Sequence, residues 1–211
     1  MNRTIMMLAI AGAVVVAAPV VAASLPDGVL AELNFARTQP QNYAGALRAY
    51  RQKFRGNVVE DRREGVSAET AEGVRAVDDA IAFLERQGPL PPLSRGDVLA
   101  VSARDHAAAQ GKRGDVGHLS ADGATPGQRA VRRGGGIYVS ETISYGSATP
   151  VSVVRQFIVD DGVADRSHRR LIFTPKMRFA GVGCGKHRMF GTVCVVDFSA
   201  SRDGKPVAGG R

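Results

Sequence analysis

The stretch RFAGVGCGKHRMFGTVCVVDFSA, residues 178–200, decides how the chain is read. It divides into two short apolar runs, Ala180–Lys186 and Phe190–Phe198, around a turn at His187–Met189, which is the pattern of an antiparallel hairpin. In that hairpin Cys184 and Cys194 face each other across the ladder, which predicts a disulfide if the chain reaches an oxidising compartment. Two buried free thiols are the alternative. A metal pair has less support, because His187 is the only other ligand type close to either cysteine.

Upstream of the hairpin the pattern turns helical. Val151 to Val159 alternates too little for a strand and reads as a helix, whereas Ile137 to Tyr145 has strand character. Gly111 to Gly136 reads as glycine-rich and irregular. A helix is expected over Asp97–Gln110, opened by a Ser94/Asp97 pair in the form of a capping box. Another is expected from Thr70, as its cap, to Arg86, with Val74, Val77, Ala80, Ile81 and Leu84 on one face. Arg55 to Ala68 reads as a charged surface loop. Leu25 to Phe54 reads as helix interrupted or restarted at Pro40. Helices first, then strands and a helix interleaved, then a hairpin, give an α+β fold and no regular βαβ repeat.

The first 23 residues read as a secretory signal. Arg3 supplies the positive end, Ile5 to Val16 the apolar core, and Val21-Ala22-Ala23 the small residues before a cleavage that leaves Ser24 first. The alternative is an uncleaved anchor, which Pro19 disfavours. No later stretch is apolar and long enough to span a bilayer. The domain plan is therefore 1–23 signal, 24–69 N-terminal helices and loop, 70–200 domain core, and 201–211 C-terminal tail, with Lys205–Arg211 reading as loose. The helices from residue 25 onward pack on that core.

The formal charge of +8 falls to +7 without Arg3. The chain has no tryptophan and only 6% aromatic residues, so it lacks the stacking platform of single-strand nucleic-acid binders. An exported basic protein is better matched to anionic envelope surfaces or lipid headgroups. There is no His-Glu-x-x-His and no Gly-x-Ser-x-Gly.

The remaining chemistry is sparse. His118 follows Gly117, Glu141 sits in Ser140-Glu141-Thr142-Ile143, and His168 lies in Ser167-His168-Arg169. A carboxylate on the same strand face as Val139 and Ile143, as Glu141 is, needs a partner. Asp160 and Asp161 end an apolar helix, where negative charge opposes the helix dipole. His168 has Arg155, Arg166, Arg169 and Arg170 in its neighbourhood, which should favour its neutral form. His106, one turn from Ala103, points inward and reads as a core histidine. His187 reads as exposed in its turn.

In this order the motifs resemble the CAP superfamily of cysteine-rich secretory, antigen 5 and pathogenesis-related proteins, in its bacterial SCP-domain form. The resemblance starts at Leu33-Asn34-Phe35-Ala36-Arg37. It passes through Leu93, Ala103-Arg104-Asp105-His106-Ala107, Gly117-His118, Ser140–Ile143 and Ser167–Arg169, and closes at Phe179-Ala180-Gly181-Val182-Gly183. It implies an α-β-α sandwich with a central cleft. It also implies a tetrad of His118, Glu141, Asp160 and His168, with Asp161 as a fallback and His106 as possible support. Phe157 stands where the family has Trp, Asp160 where it has Glu, and Thr142 where it has Asn. Such a tetrad could hold zinc or another divalent cation weakly. Three functions follow as expectations: a non-catalytic domain binding a lipid or envelope ligand, a metal-dependent hydrolase or peptidase, and a structural or partner-binding envelope protein. Export would end in the periplasm or outside the cell.

Overall fold

A computed structural model describes residues 23–61 and 66–207. The expected signal segment therefore lies, up to residue 22, outside the described residues. Helix α1 (Leu25–Thr38) starts at Ser24, whose hydroxyl accepts from the Asp27 amide, and buries Val29, Leu33 and Ala36. Gln39 ends it, and α2 (Pro40–Arg51) restarts on the proline with Tyr43, Ala44 and Leu47 inward.

The segment expected as a loop folds instead into a small antiparallel sheet of β1 (Phe54–Arg55), β2 (Val58–Asp61) and β3 (Val66–Glu69). Arg55 pairs with Val58 across a two-residue Gly56-Asn57 turn, with Gly56 at φ +62°. Thr70 closes this sheet by bonding Asn57 O through both its amide and its hydroxyl. It is therefore not a helix cap, and α3 (Val74–Arg86) begins at Gly73.

Ser94 likewise serves a strand. It lies in β4 (Ser94–Arg95), and α4 (Asp97–Arg113) opens at Gly96 without a side-chain cap. The region expected as irregular contains α5 (Pro126–Arg132), held by a Thr125/Gln128 capping box. Strand β5 (Ser140–Tyr145), α6 (Pro150–Val159), the short α7 (Ser167–Ile172), β6 (Phe179–His187) and β7 (Gly191–Ser199) complete the order.

The larger sheet runs β4-β6-β7-β5, and among the described residues one side of β5 is unpaired by another strand. Alternation along β7 builds two apolar layers. Cys194, Val196 and Phe198 join Ala180, Val182 and residues of α1, α2, α3 and α6 in the main core. Val193 and Val195 pack with Ala103 and Ala107 of α4 on the other face. The result is helices on both faces of a mixed sheet. On the α4 side, β6 carries glycines where the helix sits. A Cβ on Gly181 would come within 2.0 Å of the Ala100 amide, and one on Gly183 within 2.1 Å of the Arg104 amide. The Cys184–Cys194 disulfide forms at directly paired positions of β6 and β7.

Candidate functional site

Glu141 is the second residue of β5, and its side chain is 1% exposed. Both its oxygens are taken. Oε1 accepts from His118 Nδ1 at 2.9 Å, and Oε2 is ion-paired with Arg129 of α5. The same guanidinium donates to His118 O at 2.8 Å and Ala124 O at 3.2 Å, so it fixes the loop that carries His118. A buried carboxylate between a cation and an imidazole has its desolvation offset.

Asp160 builds a second pair. It follows the last residue of α6 in a left-handed conformation, φ 57°, and is 2% exposed. Its Oδ1 accepts from His168 Nδ1 at 2.6 Å, and Oδ2 accepts the His168 and Arg169 amides at 3.0 and 3.2 Å. Its charge thus serves the open N-terminal amides of α7, which answers its awkward place after α6. Asp161 turns away and accepts from the Ala71 and Glu72 amides at 2.7 and 2.8 Å. Phe157 packs on the His168 ring, centroids 6.0 Å apart. The arginines near His168 are engaged: Arg166 with Glu72 and Asp79, Arg169 with Asp79, Arg170 with Asp165.

The four expected residues therefore form two histidine–carboxylate pairs. Among the described residues, no three or more His, Cys, Asp or Glu side chains are grouped to hold a metal ion. Each carboxylate bonds the Nδ1 of its own histidine, the arrangement that orients a metal-ligating imidazole, so the two Nε2 atoms and no free carboxylate remain as donors. Each pair places a proton on Nδ1, so in the neutral ring Nε2 carries a lone pair.

Sequence reading missed several participants. His106 is buried as expected, and its Nε2 donates to Gly117 O at 3.1 Å; burial first, then the Arg129 charge, lowers its pKa. The Gly117 amide donates to Tyr145 Oη at 2.8 Å, and that hydroxyl donates to Gln110 Oε1 at 3.0 Å. His187 is buried, not exposed. Its Nε2 donates to Asp115 O at 2.8 Å while Nδ1 accepts the Met189 and Phe190 amides. Asp197 pairs in register with Glu141 across β5 and β7 and is fully buried. Burial, then the charge of Glu141, pushes its carboxyl well above the usual range. An aspartate in the apolar run Val193–Phe198 was the signal available.

Beside the second pair, a cavity of about 490 Å³ opens at β5. Phe54, Val59, Ile143, Phe157 and Val159 line it, with Thr70, Ser147, Ser152, Asp160 and His168 as polar wall. Its lining includes neither His118 nor Glu141.

Among solved structures, the chain is similar to an extracellular protein containing an SCP domain from Bacillus anthracis. The identity is 20% and the TM-score 0.45, over 52% of this chain and 34% of that one. This chain thus spans about a third of that protein's length. It is also similar to an outer surface protein of Borrelia burgdorferi, at 18% identity and a TM-score of 0.44, over 69% of this chain and 98% of that one. No curated protein matches. The sequence model of the cysteine-rich secretory protein family matches residues 36–198, from the last turn of α1 to the end of β7. The chain belongs to the CAP, or cysteine-rich secretory protein, family.

Proposed function

We propose that this CAP protein is an exported binding domain whose cleft takes a small ligand with an apolar body, such as a fatty acid, without transforming it. The observation that carries this reading is the cavity of about 490 Å³, apolar over Phe54, Val59, Ile143, Phe157 and Val159. Its volume falls within the range of small-molecule sites, and a few polar groups at one wall suffice to orient a head group. His168, held by Asp160, offers one such group. Both carboxylates of the paired set are satisfied within the protein, which favours a framework role over turnover. The Cys184–Cys194 disulfide supports export, because such bonds persist in oxidising compartments.

A second reading, hydrolysis, draws on the His168–Asp160 pair, whose arrangement is that of a general base with an orienting carboxylate. The test of the first is calorimetric titration with palmitate of wild type and Ala68→Trp. Ala68 lines the cavity yet is exposed, so the larger ring narrows the cleft without entering the core. Saturable binding that the tryptophan weakens at least tenfold is expected. Equal binding by both proteins, or none by wild type, refutes the proposal. Ester hydrolysis lost in His168→Ala would establish the second reading instead.

A further inference from the structure

The end of α4, the loop after it and the β6–β7 turn form one surface of unusual composition. Val116 and Leu119 are each 59% exposed, Met189 is 68% exposed and Phe190 49%. These two chain segments are joined closely. The Arg188 amide donates to Gly111 O at 3.1 Å, and His187 Nε2 donates to Asp115 O. A Cβ on Gly114 would lie 3.1 Å from the Met189 side chain. The Phe190 ring contacts Tyr145 and His187, with centroids 5.5 and 5.2 Å away. The same segments carry Lys112, Arg113, Lys186 and Arg188, all exposed, against Asp115, which is ion-paired with Arg113, and Asp122, which is paired with Arg132. The buried His187 pins the turn from both ring nitrogens, so Met189 and Phe190 are presented on a fixed support.

Exposed apolar side chains would ordinarily lower solubility, and their cationic surround favours an anionic, apolar-cored partner. We propose that this surface docks on an anionic phospholipid bilayer, with Met189, Phe190, Val116 and Leu119 entering the interface. Lys112, Lys186 and Arg188 then meet the lipid phosphates, and Arg113 does so by exchanging its Asp115 partner for one. Tyr145 touches Phe190 and also lines the cleft, so docking brings the bilayer beside the cavity. The docking itself does not depend on what the cavity holds.

The experiment is co-sedimentation of the purified mature protein with vesicles of equimolar phosphatidylglycerol and phosphatidylcholine, against pure phosphatidylcholine vesicles. Wild type is expected to bind only the anionic vesicles, with affinity falling as salt is added. Arg113→Gln/Arg188→Gln should weaken binding roughly thirty-fold, at about five-fold per cation. Met189→Ser/Phe190→Ser should weaken it roughly ten-fold or more through lost apolar burial. All four positions are exposed, so both variants should stay folded, which a single cooperative melt checks. Three outcomes overturn the proposal. They are equal binding to uncharged vesicles, an affinity untouched by the serine pair, and no vesicle binding with self-association that the serine pair abolishes.

Discussion

Replacing Asp197 by Asn tests the buried acid beside Glu141 through the pH dependence of folding. Asp197 is fully buried beside the Glu141 carboxylate, whose charge raises its pKa more than either Ser102 or Arg129 lowers it. Burial and Glu141 therefore keep it protonated above its ordinary range. A carboxyl whose pKa is higher folded than unfolded binds its proton more tightly in the fold. Its stabilisation is complete below the unfolded value near 3.9 and is lost as pH rises towards the folded value. One proton sets the scale. The loss is at most about 1.4 kcal/mol per pH unit, and it stops once the folded pKa is passed. Asn is nearly isosteric and cannot titrate, so Asp197→Asn should lack this slope. Urea unfolding of both proteins at half-unit steps from pH 4 to pH 8 measures it. The stability of wild type relative to the variant should decline with pH while the urea m-value stays the same. A difference that is constant, or that grows in favour of wild type, refutes the assignment of a proton to Asp197.

Two further predictions concern stability. Arg37 is fully buried and donates to the carbonyls of Pro91, Ile172, Thr174 and Met177, joining α1 to two distant segments; burial lowers its pKa to about 10, which leaves it charged at neutral pH. Arg37→Met should cost about 3 kcal/mol or more in urea unfolding, because charge-assisted bonds vanish and carbonyls lose their donor; a change under about 1 kcal/mol refutes this. Cys184→Ala/Cys194→Ala opens a link of sequence separation 10, worth about 2.7 kcal/mol on loop-closure entropy. The melting temperature should fall by roughly 5–10 °C, and an unchanged melt counts against the link as a stabiliser.

The parts of the fold legible in sequence were those fixed by near neighbours. Pro40 restarted a helix, Val151–Val159 was helical from its own apolar run, and the two cysteines met across a hairpin that its own turn closed. Misreadings came where a distant partner competed for a residue with good local options. Thr70 and Ser94 are both plausible caps, yet Asn57 claims the first, and parallel pairing with Phe179 draws the second into β4. The Gly56-Asn57 turn was a signal for the small sheet, outweighed by the charge of the surrounding segment. At the site, His118, Glu141, Asp160 and His168 were found by resemblance. Their division into two pairs was not readable, because Arg129 and the α7 amides, which occupy the carboxylates, come from elsewhere in space. Asp161, equal to Asp160 in sequence, is separated from it only by the direction its backbone takes.

The bare glycines of β6 have a mechanical consequence. Where Gly181 and Gly183 meet α4, helix and strand touch backbone to backbone, with no deformable side chain between them. Side chains can change rotamer to absorb a shift, but main chain cannot. Movement of α4 towards β6 is therefore opposed by main chain directly, with no side chain between them to yield. The wall of the cleft formed by α6 and the small sheet is built of side chains, which can change rotamer where main chain cannot.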